Sequence, residues 1–209
     1  NREADYLNEL YNEDGTLKSA ATGDVYGLGY MLPVDTDAPR YALYQEFLEF
    51  FRGEPEMMFN IELKYYPEDS GAFAYESAKK TVAMMEEYGI VERSVVNTWS
   101  GELNEWLDAT YGKRLRIHAY SPQERMGLRQ KRFVYDYAYC VCLFGTAESP
   151  VVPDRFFRLA KDYGAEPWVY FKQETPELVD RALEAGAVLF TSNDPAWLMA
   201  YLRAKGLHD

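Results

Sequence analysis

Phe59-Asn60-Ile61-Glu62-Leu63-Lys64 is the stretch on which the fold turns. It begins as an apolar run after Gly53 and Pro55, then alternates, with Ile61 and Leu63 to one side and Glu62 and Lys64 to the other. A strand repeats every two residues, so the acid and the base share a face. An acid and a base on the inward side of a buried strand are not explained by packing. The plainer alternative is a structural ion pair of the kind barrel interiors hold without catalysing anything.

Downstream the pattern is regular. A helix is predicted over 73–88, with Ala74, Ala78, Val82 and Met85 on one stripe and Gly89 as its stop. Ser94–Trp99 reads as a strand, and Ser100 caps a helix whose apolar positions are Leu103, Trp106 and Leu107. Strands follow at 115–120, 137–144, 166–171 and 188–191. The segment 122–132 is a short basic helix or turn; Arg125, Arg129, Lys131 and Arg132 are expected to solvate its face, with phosphate binding as the alternative. Helices are predicted at 153–163, opened by Pro153, at 176–185, stopped by Gly186, and from Asp194-Pro195 to Arg203. Strand and helix thus alternate from residue 59 to the end, which predicts a parallel sheet with helices outside. A closed (β/α)8 barrel and an open doubly wound sheet both fit. No Gly-rich phosphate loop follows any strand, which counts against a dinucleotide-binding sheet.

Upstream, Leu43, Phe47, Leu48 and Phe51 recur at helical spacing between Tyr41 and Phe51. Residues 1–40 form an irregular leader, with a short amphipathic helix at 3–12 and a candidate strand at Val25–Leu32. No composition shift or linker divides the chain, so residues 1–209 are expected to form a single domain.

The chain is 47% hydrophobic and 27% charged, ordinary for a globular protein with a sizeable core. No run approaches the roughly 18 apolar residues of a membrane span. The net charge of −12 disfavours nucleic acid, whose binding needs Lys and Arg against phosphates. Such acidity either aids solubility or includes carboxylates that hold a hard cation. Cys140 and Cys142 are two apart in an apolar run, a spacing that strains a direct bridge. They read as two thiols in a core, which leans towards a reducing, cytoplasmic compartment. A Cys-x-Cys metal site would want more Cys or His nearby, and the chain has only His118 and His208.

In a barrel, functional residues stand at the carboxyl ends of strands. Glu62 and Lys64, Asn97 with Trp99, His118 with Tyr120, Tyr170, and Thr191 with Ser192 and Asn193 would then converge on one rim. The polar, aromatic loop Tyr65–Gly71 would border it. By default, His118 is a hydrogen-bonded strand histidine, and Trp99, Trp106 and Trp168 are packing residues. The 18 tyrosines leave a polyol-binding surface open.

Asn60-Ile61-Glu62-Leu63-Lys64 resembles the Asn-Ile-Glu-x-Lys strand of the glycerophosphodiester phosphodiesterases. Further pieces follow in that family's order. Pro39 with Leu43 and Leu48 resembles the helix leading into that strand, and Glu87-Tyr88-Gly89 before Arg93-Ser94-Val95-Val96 resembles the next helix end and strand. Thr98-Trp99-Ser100 stands where the family has Ser-Phe. Trp168-Val169-Tyr170-Phe171 is similar to its Trp-containing strand, and Gly186 to Pro195 is similar to its Thr-Asp-x-Pro close. The likeness covers most of residues 38–206, and it is the order and spacing together that are specific.

The resemblance implies a TIM barrel that hydrolyses a glycerophosphodiester to an alcohol and glycerol phosphate with a divalent cation, Ca²⁺ or Mg²⁺, in lipid metabolism. Carried over by position, Glu62 is a metal ligand and Lys64 a catalytic residue beside the phosphate. Trp99, Tyr170 and Phe171 wall the substrate pocket. A carboxylate suits a hard cation, and an ammonium offsets charge on the non-bridging oxygens. The sequence departs from the family pattern in lacking its His-Arg pair, its Glu-x-Asp metal pair and its later His-Asp. His208-Asp209 has the right letters but ends the chain after the last helix, and His118 is on the wrong strand.

Eight units average about 250 residues, so this chain matches six units and a leader, with roughly 60 residues of barrel unaccounted for. Three arrangements follow: an upstream segment of a longer polypeptide, closure by the leader with Val25–Leu32 as a strand, or a partner chain that completes the barrel. Two functions follow as well. One is a metal-dependent phosphodiesterase acting on a small-molecule phosphodiester; the other is a catalytically inactive barrel serving as a ligand-binding or assembly module.

Overall fold

The computed structural model describes residues 44–121, 123–127, 129–145 and 151–208. The helix expected at 3–12 and the strand expected at Val25–Leu32 lie outside the described residues. The described residues divide between two compact units, with the boundary between Pro55 and Glu56. The first contains helix α1, Tyr44–Phe50, on which Leu48 is buried.

The second unit holds six strands: β1 Phe59–Glu62, β2 Ser94–Asn97, β3 Ile117–Ser121, β4 Cys140–Phe144, β5 Glu166–Tyr170 and β6 Leu189–Thr191. Every neighbouring pair is parallel and the spatial order follows the chain, β1-β2-β3-β4-β5-β6. The sheet curls into a half-barrel with alternating helices, an incomplete TIM-barrel-like fold. The open doubly wound alternative is thereby set aside, because its strand order reverses at a switch point and this one does not.

The helices are α2 Pro67–Ser70, α3 Ala72–Glu87, α4 Gly101–Tyr111, α5 Asp154–Tyr163, α6 Pro176–Ala185 and α7 Pro195–Ala204. The apolar stripe of α3 is buried as its spacing predicts: Ala74, Ala78, Val82 and Met85. Leu103 and Leu107 of α4, Phe157 and Ala160 of α5, and Val179 and Ala182 of α6 are buried too. One core cluster joins the α5 and α6 residues to Val141, Leu143, Val169 and Phe171, which project outward from β4, β5 and the residue after β5. Burying each large aliphatic side chain contributes about 1.5–3 kcal/mol.

Differences from the expected boundaries have local causes. The loop predicted at Tyr65–Gly71 contains α2, because Pro67 stands at its first position with Glu68 and Asp69 in its first turn. The strand expected from Tyr137 begins at Cys140, because Tyr137 and Ala138 donate back to the Val134 carbonyl in a turn. The strand expected from Leu115 begins at Ile117, since Leu115 closes a turn onto Gly112.

Candidate functional site

Register partners in a parallel ladder project to the same face. The pairing Glu62↔Asn97↔His118↔Cys140 therefore puts these four side chains on the concave face. Asn60 joins them by the period of two, as do Tyr120, Cys142, Phe144, Trp168 and Tyr170. The concave face is polar on β1–β3 and aromatic towards β5.

Asn60, Asn97, His118 and Tyr120 form one connected network in the polar half. The Tyr120 hydroxyl donates to Asn97 Oδ1 at 2.7 Å. Asn97 Nδ2 donates to Asn60 Oδ1 at 2.6 Å. His118 Nδ1 lies 3.1 Å from the same Asn60 oxygen. An amide oxygen only accepts, so Nδ1 carries the proton and Nε2 the lone pair. Nε2 is buried and has no hydrogen-bond partner among the described residues. Burial pushes the imidazole pKa down to about 3, so the ring is neutral at physiological pH and supplies no general acid there. Burial likewise holds the Tyr120 hydroxyl protonated.

The aromatic half is stacked. Trp99, just past β2, lies on Tyr120 with ring centroids 3.9 Å apart and planes 6° from parallel. His118 lies on Trp168, whose indole N–H donates to Thr191 Oγ1 at 2.8 Å. Phe144 bridges Trp99 to Tyr170, at 5.9 and 5.8 Å. Cys140 and Cys142 are buried thiols with no disulfide between them, and burial raises the Cys140 pKa.

Glu62 ends β1 and pairs with Lys64, Nζ to Oε2, at 2.9 Å. Both reach solvent, with side chains 31% and 72% exposed respectively. Trp99 and Tyr170 stand with them at the carboxyl ends of the strands, both half-buried. Phe171 does not join them. It points outward and stacks on Phe190, within the layer that holds Phe157, Leu178 and Ala182. Sequence reasoning did not single out Asn60, the hub of the network; Trp168, assigned to packing, is buried in the core cluster. Asn60 was within reach, because it lies two residues before Glu62 on the same face.

Among the described residues, no group of three or more His, Cys, Asp or Glu is placed to hold a metal ion. Glu62 is one carboxylate, already in an ion pair, whereas a hard cation takes about six oxygen ligands or more. The described donor set does not by itself fit a divalent cation. No described helix is long and apolar enough to cross a membrane.

The fold is similar to solved structures of glycerophosphodiester phosphodiesterases. One, from Parabacteroides distasonis ATCC 8503, matches with a TM-score of 0.53 and 13% identity, over 78% of this chain and 64% of that one. Two proteins provisionally assigned to the same activity also match. The one from Silicibacter pomeroyi DSS-3 has a TM-score of 0.55 and 17% identity, over 78% of this chain and 57% of that one. The one from Galdieria sulphuraria has a TM-score of 0.55 and 17% identity, over 76% of this chain and 63% of that one. The match thus spans 57–64% of the length of these structures. At this identity the likeness is one of fold. No family model matches the chain. No curated protein matches it.

Proposed function

We propose that the chain belongs to a glycerophosphodiester phosphodiesterase-type protein, binding a small-molecule phosphodiester at the carboxyl ends of β1–β5 for hydrolysis to an alcohol and glycerol phosphate. The observation that carries this is the position of the Glu62–Lys64 pair, at the end of the first strand of a barrel arc similar to those phosphodiesterases. Lys64 offsets charge on the phosphoryl oxygens. Trp99 and Tyr170 flank the bound diester. Glu62 is one carboxylate available to a divalent cation there.

The test is hydrolysis of glycerophosphocholine by the complete gene product, followed by phosphorus NMR with Mg²⁺ and with Ca²⁺. Conversion to glycerol phosphate that is lost in Glu62→Gln and in Lys64→Met supports the proposal. The alternative is a catalytically inactive binding module. It predicts saturable binding of the same diester with no turnover under either cation.

A further inference from the structure

Asn60 is solvent-exposed, yet its carboxamide is held at one end. Its oxygen takes two hydrogen bonds, from Asn97 Nδ2 at 2.6 Å and from His118 Nδ1 at 3.1 Å. Asn97 and His118 are each only 2% exposed, and Asn97 is itself oriented by the buried Tyr120 hydroxyl. Residues of β2 and β3 therefore fix the rotation of one surface amide on β1. With the oxygen engaged, what the amide offers to solvent is its NH2 group, on the face and strand that carry Glu62. The network opposes stability at one point: His118 Nε2 is a buried acceptor with no partner among the described residues. Packing alone does not account for an imidazole there; the proton that its Nδ1 delivers to Asn60 does.

We propose that Asn60 is a substrate-binding residue whose NH2 group donates to a phosphoryl oxygen of the diester, and that His118 and Asn97 are its positioning residues. The proposal rests on the phosphodiester function given above. A pre-oriented amide donor suits the task, because it binds an anionic oxygen without first losing rotational freedom. Glu62 and Lys64 lie two and four residues further along the chain, so the amide donor and the ammonium address the same phosphate from different depths of the barrel. The Asn60 oxygen only accepts, so this contact holds the imidazole with its proton on Nδ1.

The test uses the ¹⁵N-labelled full chain, with the Asn60 side-chain NH2 resonances assigned by their loss in Asn60→Asp. Dimethyl phosphate and glycerol are the separate probes. The expected result is a saturable shift of these resonances with dimethyl phosphate and not with glycerol. Affinity should fall about tenfold or more in Asn60→Asp. His118→Phe retains a ring on Trp168 but removes the donor; it should weaken binding by a smaller factor and move the Asn60 resonances before any probe is added. Dimethyl phosphate binding that is lost in Lys64→Met but unchanged in Asn60→Asp would overturn the assignment and leave the phosphodiester function standing. A response to glycerol alone would overturn the choice of a phosphoryl oxygen. No response to dimethyl phosphate at all would remove both.

Discussion

The imidazole of His118 lies flat on the indole of Trp168, with ring centroids 4.2 Å apart and planes 8° from parallel. The stack joins the two halves of the concave face. Through Nδ1, His118 belongs to the polar network of β1–β3; through its ring, it belongs to the aromatic wall that runs to β5. The same contact strips water from the ring, which is why the imidazole stays neutral.

That neutrality makes stability depend on pH. The folded pKa of His118 is held down to about 3 by burial, whereas the unfolded chain titrates near 6.5. Between the two values the unfolded state binds the proton and the folded state does not, so stability rises with pH. The contribution is fully present above the unfolded pKa and is lost as pH falls through the window. Urea denaturation of wild type and His118→Phe should show the wild type losing about 1.4 kcal/mol more per pH unit in the lower part of that window. Parallel pH profiles would show that His118 titrates normally when folded.

The Glu62–Lys64 pair should matter little for stability. Both side chains reach water, Lys64 the more, so screening leaves the pair about 0–1 kcal/mol. Thermal melts of Glu62→Gln and Lys64→Met should lie close to wild type, while diester binding or turnover falls. A large loss of stability would instead mark the pair as structural.

Ser100 ties two rim loops together. Its hydroxyl oxygen accepts from the Leu103 N–H as the cap of α4, and its proton goes to Glu68 Oε1 at 3.0 Å. Ser100→Ala should cost about 0.5–2 kcal/mol, and Ser100→Thr should recover most of it. For a chain of this size, each kcal/mol lost lowers the melting temperature by about 2–4 °C, readable by calorimetry.

Met85 is fully buried on the inner stripe of α3. Met85→Ala should destabilise by about 2–5 kcal/mol in chemical denaturation, far more than any rim substitution above.

The fold was legible because period-two strands and period-3.6 helices alternate with clear stops, such as Gly89 and Gly186. Strand starts were less legible where turns hold the chain, as at Tyr137–Tyr139, whose apolar letters match a strand equally well. At the site, Glu62, Lys64, Trp99 and Tyr170 could be placed by their strand ends. Phe171 could not, since a shift of one residue moves a side chain from the concave face to the helix layer. The network around Asn60 joins residues 37 and 58 apart in sequence, a relationship no local pattern carries.

The central claim, that a small phosphodiester binds on the concave face at the strand ends, is tested most directly by a crystal structure of the protein with glycerol 3-phosphate. The predicted result is a phosphoryl group within hydrogen-bonding distance of Lys64 Nζ and Asn60 Nδ2, with the glycerol against Trp99 or Tyr170. A ligand bound elsewhere on the protein, or a bare concave face at saturating ligand, would contradict it.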